Sequence, residues 1–302
     1  MKRMQMNLGL AAAVVALAVA VYVGRDQPEP KKPLTPIAED AVTDIVIAHP
    51  DKPEVKLHKQ DGQWRIVAPV DAATDPFEVS SLVNLAGLDV EREIPVSELD
   101  LAELKLDPPQ YRIRLNETEL AFGDAEPITF RRYIRVGDHV ALVADPPSAA
   151  LDADYSDLVA KEVLPKGAKI LRIEVPGLTV SRDGDAWVTE GTAAASSDQL
   201  AAFVDHWASA RSMWNAARPA DAGDDGQTIR VAVEGATIDL RLVETEPQLV
   251  IDRPALGIRY TLSKADADTL LRLTPPKAET DADTATGPEA ADAPDAGTQG
   301  AP

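Results

Sequence analysis

Apolar and polar side chains alternate through most of the middle of this chain, and the alternation breaks into two sets of short strands. The first set falls at 42–48, 55–59, 64–67, 111–115, 119–122, 131–136 and 139–144. The second falls at 170–175, 178–182, 186–189, 228–233, 236–243, 248–251 and 259–262. Asp61-Gly62, Gly137-Asp138 and Asp183-Gly184 stand where tight hairpin turns are needed, because Gly and Asp tolerate positive φ. After the third strand of each set the period changes to that of a helix. Asp75-Pro76-Phe77-Glu78 supplies an N-cap with Pro at the first helical position, and Val79, Leu82, Val83, Leu85 and Ala86 follow at helical spacing. Ser196 opens the second helix, whose Leu200, Phe203, Val204 and Trp207 share one face. Shorter helical patterns cover 151–164 and 265–273.

The two sets repeat one another. Residues 45–69 (strand, strand, Asp61-Gly62, strand with Trp64) return in weaker form at 170–190 (strand, strand, Asp183-Gly184, strand with Trp187). The expected fold class is therefore α+β: two tandem duplicated modules, each a mainly antiparallel meander sheet with one packed helix, preceded by an N-terminal transmembrane helix. Trp64, Trp187 and Trp207 are the expected structural anchors, since other core positions must be filled by Val, Leu, Ile and Ala when aromatics are only 4% of the chain.

The flanks are built differently. Residues 8–23 are uncharged and apolar, with Lys2 and Arg3 before them and Arg25 after. Counted with 4–7, the run approaches the roughly 20 residues that span a bilayer. It reads as a retained anchor, because the apolar run continues past the small-residue site at Ala18-Val19-Ala20; a cleaved export signal is the alternative. Ala12, Ala16, Ala20 and Gly24 recur at intervals of four, a spacing that lets membrane helices approach closely and marks a membrane-helix contact. Four prolines between Gln27 and Pro36 suit an extended spacer, and 275–302 has no Ile, Leu, Val or aromatic residue to bury. The expected organisation is 1–25 transmembrane anchor or signal, 26–40 Pro-rich linker, 41–150 first α+β module, 151–168 connecting helix, 169–274 second α+β module and 275–302 disordered acidic tail.

Charge and chemistry narrow the function classes. Fifty acidic against 30 basic residues give a formal charge of −20, a surface that repels nucleic acid, so no nucleic-acid partner is expected. The chain has no cysteine, which excludes disulfides and a lipidated cysteine. Its four histidines, His49, His58, His139 and His206, form no metal-ligand spacing, and there is no nucleophile elbow or phosphate-binding glycine loop. Arg131, Arg132 and Arg135 form a small basic concentration that suits pairing with acids. No catalytic residue, metal ligand or cofactor site is assigned.

Trp64 with Pro69, the helix from Asp75, Leu106-Asp107-Pro108-Pro109 before a strand, and Arg132-Tyr133-Ile134-Arg135-Val136-Gly137 before another together resemble the bacterial domain-of-unknown-function 4340 family over about residues 42–270. The family pattern places Gly where this chain has Lys105. The resemblance implies a membrane-anchored envelope protein, often encoded beside ABC transporter components. With the short basic tail before the apolar run, the expected place is the bacterial inner membrane, single-pass with the bulk in the periplasm, and the expected partners are ABC transporter subunits or another envelope protein. The expected function is that of a noncatalytic accessory or scaffold. The rival is an envelope hydrolase or ligand-binding protein with its site between the two modules; a deep polar cleft there would favour the rival, a filled junction the scaffold.

Overall fold

The computed structural model describes residues 14–15, 32–127, 131–146, 154–190, 195–223 and 226–273. The expected anchor, 1–25, lies outside them apart from Val14 and Val15, so Ala12, Ala16, Ala20 and Gly24 are not placed, and neither is the tail from 275 onward. Among the described residues no helix is long and apolar enough to cross a membrane.

The strands in chain order are β1 (Lys32–Pro33), β2 (Asp44–Ala48), β3 (Val55–Gln60), β4 (Gln63–Ala68), β5 (Ala72–Ala73), β6 (Asp89–Pro95), β7 (Tyr111–Leu115), β8 (Thr118–Ala125), β9 (Arg131–Val136) and β10 (His139–Ala144) in the first half. The second half holds β11 (Ile170–Val175), β12 (Leu178–Asp183), β13 (Ala186–Glu190), β14 (Trp214–Ala217), β15 (Gln227–Val233), β16 (Ala236–Glu244), β17 (Leu249–Arg253) and β18 (Ile258–Leu262). Helices α1 (Pro76–Val83), α2 (Tyr155–Leu158), α3 (Ser197–Ser209) and α4 (Lys264–Leu271) accompany them. Both sheets are antiparallel, in the orders β1-β6-β10-β9-β8-β7-β2-β3-β4-β5 and β13-β12-β11-β15-β16-β17-β18-β14.

Read from opposite ends, these are one topology. Strands β4, β3, β2, β7, β8, β9, β10 and β6 of the first sheet stand in the order taken by β13, β12, β11, β15, β16, β17, β18 and β14 in the second. A helix follows the third meander strand in both halves, α1 after β4 and β5, α3 after β13. The strand pattern explains itself locally. In β2 the buried Ile45 and Ile47 alternate with more exposed neighbours, as a sheet with one covered face requires. Asp61 and Gly62 both take positive φ, 51° and 78°, the backbone of a two-residue hairpin between Gln60 and Gln63.

Four expectations are refined. The second hairpin turns at Gly184-Asp185, one residue later than expected, because Asp183 still pairs with Ala186. Trp64 and Trp187 are each the second residue after their turn, facing Lys59 and Arg182. Both are half-buried at the border of the core, whereas Trp207 on α3 is fully buried and its Nε1–H donates to the Leu270 carbonyl of α4 at 2.9 Å. The Pro-rich stretch joins the folded body from Lys32: β1 pairs with β6, and Leu34 and Thr35 are buried. Proline is compatible with this place because an edge strand has spare N–H positions. The connecting helix is a single described turn, Tyr155–Leu158, after which the chain extends through Val159 (ψ 139°). Strands β6 and β14 were not expected at all; charge masks alternation in β6 (Asp-Val-Glu-Arg-Glu-Ile-Pro), and β14 is only four residues long.

The buried side chains of the two sheets form one continuous cluster, to which the connector contributes Leu158, Val159, Val163 and Leu164. Trp207→Ala is expected to cost about 3–5 kcal/mol in urea unfolding, through lost burial and an orphaned Leu270 carbonyl. Trp64→Ala and Trp187→Ala are expected to cost less, about 1–2 kcal/mol each, as half-exposed side chains lose less on truncation. Equal costs at all three positions would contradict this placement.

Candidate functional site

The junction between the sheets is the place the rival reading needs, and it is occupied. Residues 158–163 run between the β5 end of the first sheet and the β14 end of the second, hydrogen-bonded to both. On one side the Asp75 N–H donates to the Leu158 carbonyl (2.8 Å) and the Ala160 N–H to the Ala73 carbonyl (2.9 Å). On the other the Val163 N–H donates to the Ala210 carbonyl (3.0 Å) and the Ser212 N–H to the Lys161 carbonyl (2.8 Å). Buried Asn215 uses Nδ2 to donate to the Val159 carbonyl at 2.9 Å, and the buried Ser212 hydroxyl donates to Asn215 Oδ1 at 2.6 Å. Polar groups this deep stay in place because each has a partner.

Charge reinforces the same seam. Asp75, 3% exposed, caps α1 by accepting from the Phe77 N–H at 2.9 Å. Its other carboxylate oxygen lies 3.5 Å from Arg211 and 3.8 Å from Lys161, and Arg211 also pairs with Glu162 at 3.0 Å. The Tyr155 hydroxyl lies 2.8 Å and 3.0 Å from the carbonyls of Gly257 and Leu256 and so fastens the connector to the loop before β18. Glu78 at the start of α1 is held above the ordinary glutamate range by burial, which outweighs the attraction of Lys161.

A cavity of about 310 Å³ lies elsewhere, on the outer face of β3 and β4, lined by His58, Gln60, Arg65, Val67 and Asp71. His58 and Arg65 are cross-strand partners. His58 Nδ1 is 2.8 Å from Asp44 Oδ1, and Arg65 donates to Asp71. Asp44 is in turn held by the Thr43 hydroxyl (2.8 Å); that bond first, and then His58, keep its carboxyl below the usual carboxylate range. Each ionisable side chain lining the cavity thus already has a partner of its own, and all of them are about half exposed or more. In water-like surroundings such pairs contribute little free energy.

The remaining histidines are scattered. The His49 ring lies 5.1 Å from Tyr111, His139 pairs with its neighbour Asp138 at 2.6 Å, and His206 sits in the last turn of α3. Among the described residues no group of three or more His, Cys, Asp or Glu side chains is placed to hold a metal ion. The arginine concentration is divided among acids and carbonyls: Arg131 with Glu91, Arg132 with Asp145, Arg135 with the Gly137 carbonyl.

Two of the motifs that carry the family resemblance, those at Leu106 and Arg132, meet in space. Arg132 Nη1 donates to the Gly123 carbonyl at 2.9 Å, and a Cβ on Gly123 would lie 2.4 Å from the Leu104 carbonyl, so the segment carrying buried Leu106 rests directly on β8. Lys105, where the family pattern has Gly, takes φ 52° and pairs with Asp124 at 2.8 Å. This is a left-handed backbone, the region that ordinarily favours Gly, and here a lysine occupies it.

Glu78→Gln tests the seam electrostatics. Because its pKa is raised in the folded state, the folded protein holds that proton more tightly than the unfolded chain, and the charged form is penalised at neutral pH. The variant is expected to melt about 1–2 °C higher at pH 7, with the gain vanishing as pH falls below the ordinary glutamate range. A gain that persists or grows in acid would contradict the burial of this carboxyl.

Comparison with curated proteins and with solved structures finds no match. A family model described as "Domain of unknown function (DUF4340)" matches residues 64–222, from β4 across the whole seam to just beyond β14. The chain, with more than half its length covered by that match, belongs to the DUF4340 family.

Proposed function

We propose that this chain is a noncatalytic scaffold of the bacterial envelope, tethered to the inner membrane by residues 1–25 and presenting a tandemly duplicated two-sheet body in the periplasm to an ABC transporter or another envelope component. The observation that supports it best is the filled seam. Where a catalytic or ligand-binding cleft between the halves would need room, Leu158, Val159, Val163 and Leu164 are buried and the backbone is bonded on both sides. The rival, an envelope hydrolase or binding protein with its site at that junction, would have to break these contacts to admit a substrate. Shared strand order supports duplication as the origin of the two halves. The small-residue face Ala12, Ala16, Ala20 and Gly24 offers a membrane contact for the partner.

Replacing His49, His58, His139 and His206 singly by Gln is expected to leave complementation of a deletion strain intact, and protease added to spheroplasts is expected to degrade the body. A folded, membrane-located histidine variant that failed to complement would move the enzyme reading ahead. Protection of the body until the inner membrane is broken would overturn the location.

A further inference from the structure

Both sheets carry a strap across the equivalent edge strand, and the straps share a pattern: Lys32-Pro33-Leu34-Thr35-Pro36 on β6, Lys161-Glu162-Val163-Leu164-Pro165 beside the start of β14. Their register is the same. Pro95 and Ala217 each face the first residue of the neighbouring strand, His139 and Ile258, and six residues earlier Asp89 and Arg211 face Pro33 and Glu162. Leu34 and Val163 then donate their N–H to the residue just before, Leu88 at 2.8 Å and Ala210 at 3.0 Å, and both side chains are buried.

The straps differ in how they are held. The second is clamped between two sheet edges, whereas β1 pairs with β6 alone and has no strand on its other side among the described residues. Its attachments are the Leu34 and Thr35 main-chain bonds, the Thr35 hydroxyl donating to the Ala86 carbonyl at 3.1 Å, and an exposed Lys32–Glu93 pair at 2.8 Å. We propose that the outer edge of β6 is a strand-docking seat, filled here by the chain's own residues 32–36, that takes the same segment from a second copy to give a strand-swapped dimer. The seat reads a lysine through Glu93 and an aliphatic side chain two residues on, while Pro33 leaves one ladder position without a donor. Exchange between copies remakes the same contacts, so its equilibrium is set by protein concentration and by repulsion between chains of formal charge −20. Swapping should therefore increase with concentration and with salt. This inference is independent of the scaffold reading.

The absence of cysteine makes the test direct. Full-length Pro33→Cys and full-length Asp89→Cys, mixed in detergent and oxidised, are expected to form a 33–89 cross-linked heterodimer at several times the yield of Pro33→Cys mixed with Arg211→Cys, whose seat is clamped. Adding Leu34→Asp to the Asp89→Cys chain empties its own seat and should raise the yield several-fold again. The double variant Pro33→Cys/Asp89→Cys at low concentration shows that the pair can close within one folded chain. If that internal disulfide forms but the mixed heterodimer stays at the Arg211→Cys level, with and without Leu34→Asp, the seat does not take a second copy and the proposal fails.

Discussion

The backbone of residues 158–163 is the constraint on which the rest of this structure depends. Its N–H and C=O groups complete the β5 end of one sheet and the β14 end of the other, so each half supplies partners the other would otherwise leave unpaired. An unpaired main-chain group away from water costs about 1–3 kcal/mol, and several sit at this seam. Four buried aliphatic side chains, Leu158, Val159, Val163 and adjoining Leu164, add on the order of 2 kcal/mol apiece. The connector is thus a shared strand rather than a tether, and the two halves cannot move apart without exposing both edges.

That constraint explains which features were legible from the amino-acid order and which were not. Regular alternation around Ile45 and Ile47, the caps at Asp75 and Ser196 and the apolar face ending in Trp207 are local signals, and they were readable. Residues 151–164 have helical spacing, and what overrides it in the connector is tertiary: by extending around Val159 and Val163 the chain gains two sets of ladder bonds. The Pro-rich segment looked like a spacer by composition, yet Leu34 and Thr35 bury against β6, a contact set by residues more than 50 positions away. The polar residues of the seam, Lys161, Ser212 and Asn215, carried no motif. The one available signal was the paired Lys-x-(Leu/Val)-x-Pro pattern at 32–36 and 161–165, which becomes visible only once the edge strands are aligned.

The electrostatics follow the same division. At the seam, Asp75 is almost wholly buried and bonded to the start of α1 while Arg211 approaches it from the second half and Lys161 from the connector, so charge there fixes orientation. On the outer face the pairs His58–Asp44 and Arg65–Asp71 are exposed and screened by water. With buried Asp75, Ser212 and Asn215 all committed to joining the two halves, the body is expected to unfold as one cooperative unit.

Native-state hydrogen exchange at rising denaturant tests that claim most directly. The amides of Asp75, Ala160, Val163 and Ser212 should merge with those of the central strands into one global unfolding event, giving a single free energy for both sheets. Seam amides that open at markedly lower free energy, followed by separate transitions for the two sheets, would show that the halves are independent domains and that the connector is only a linker.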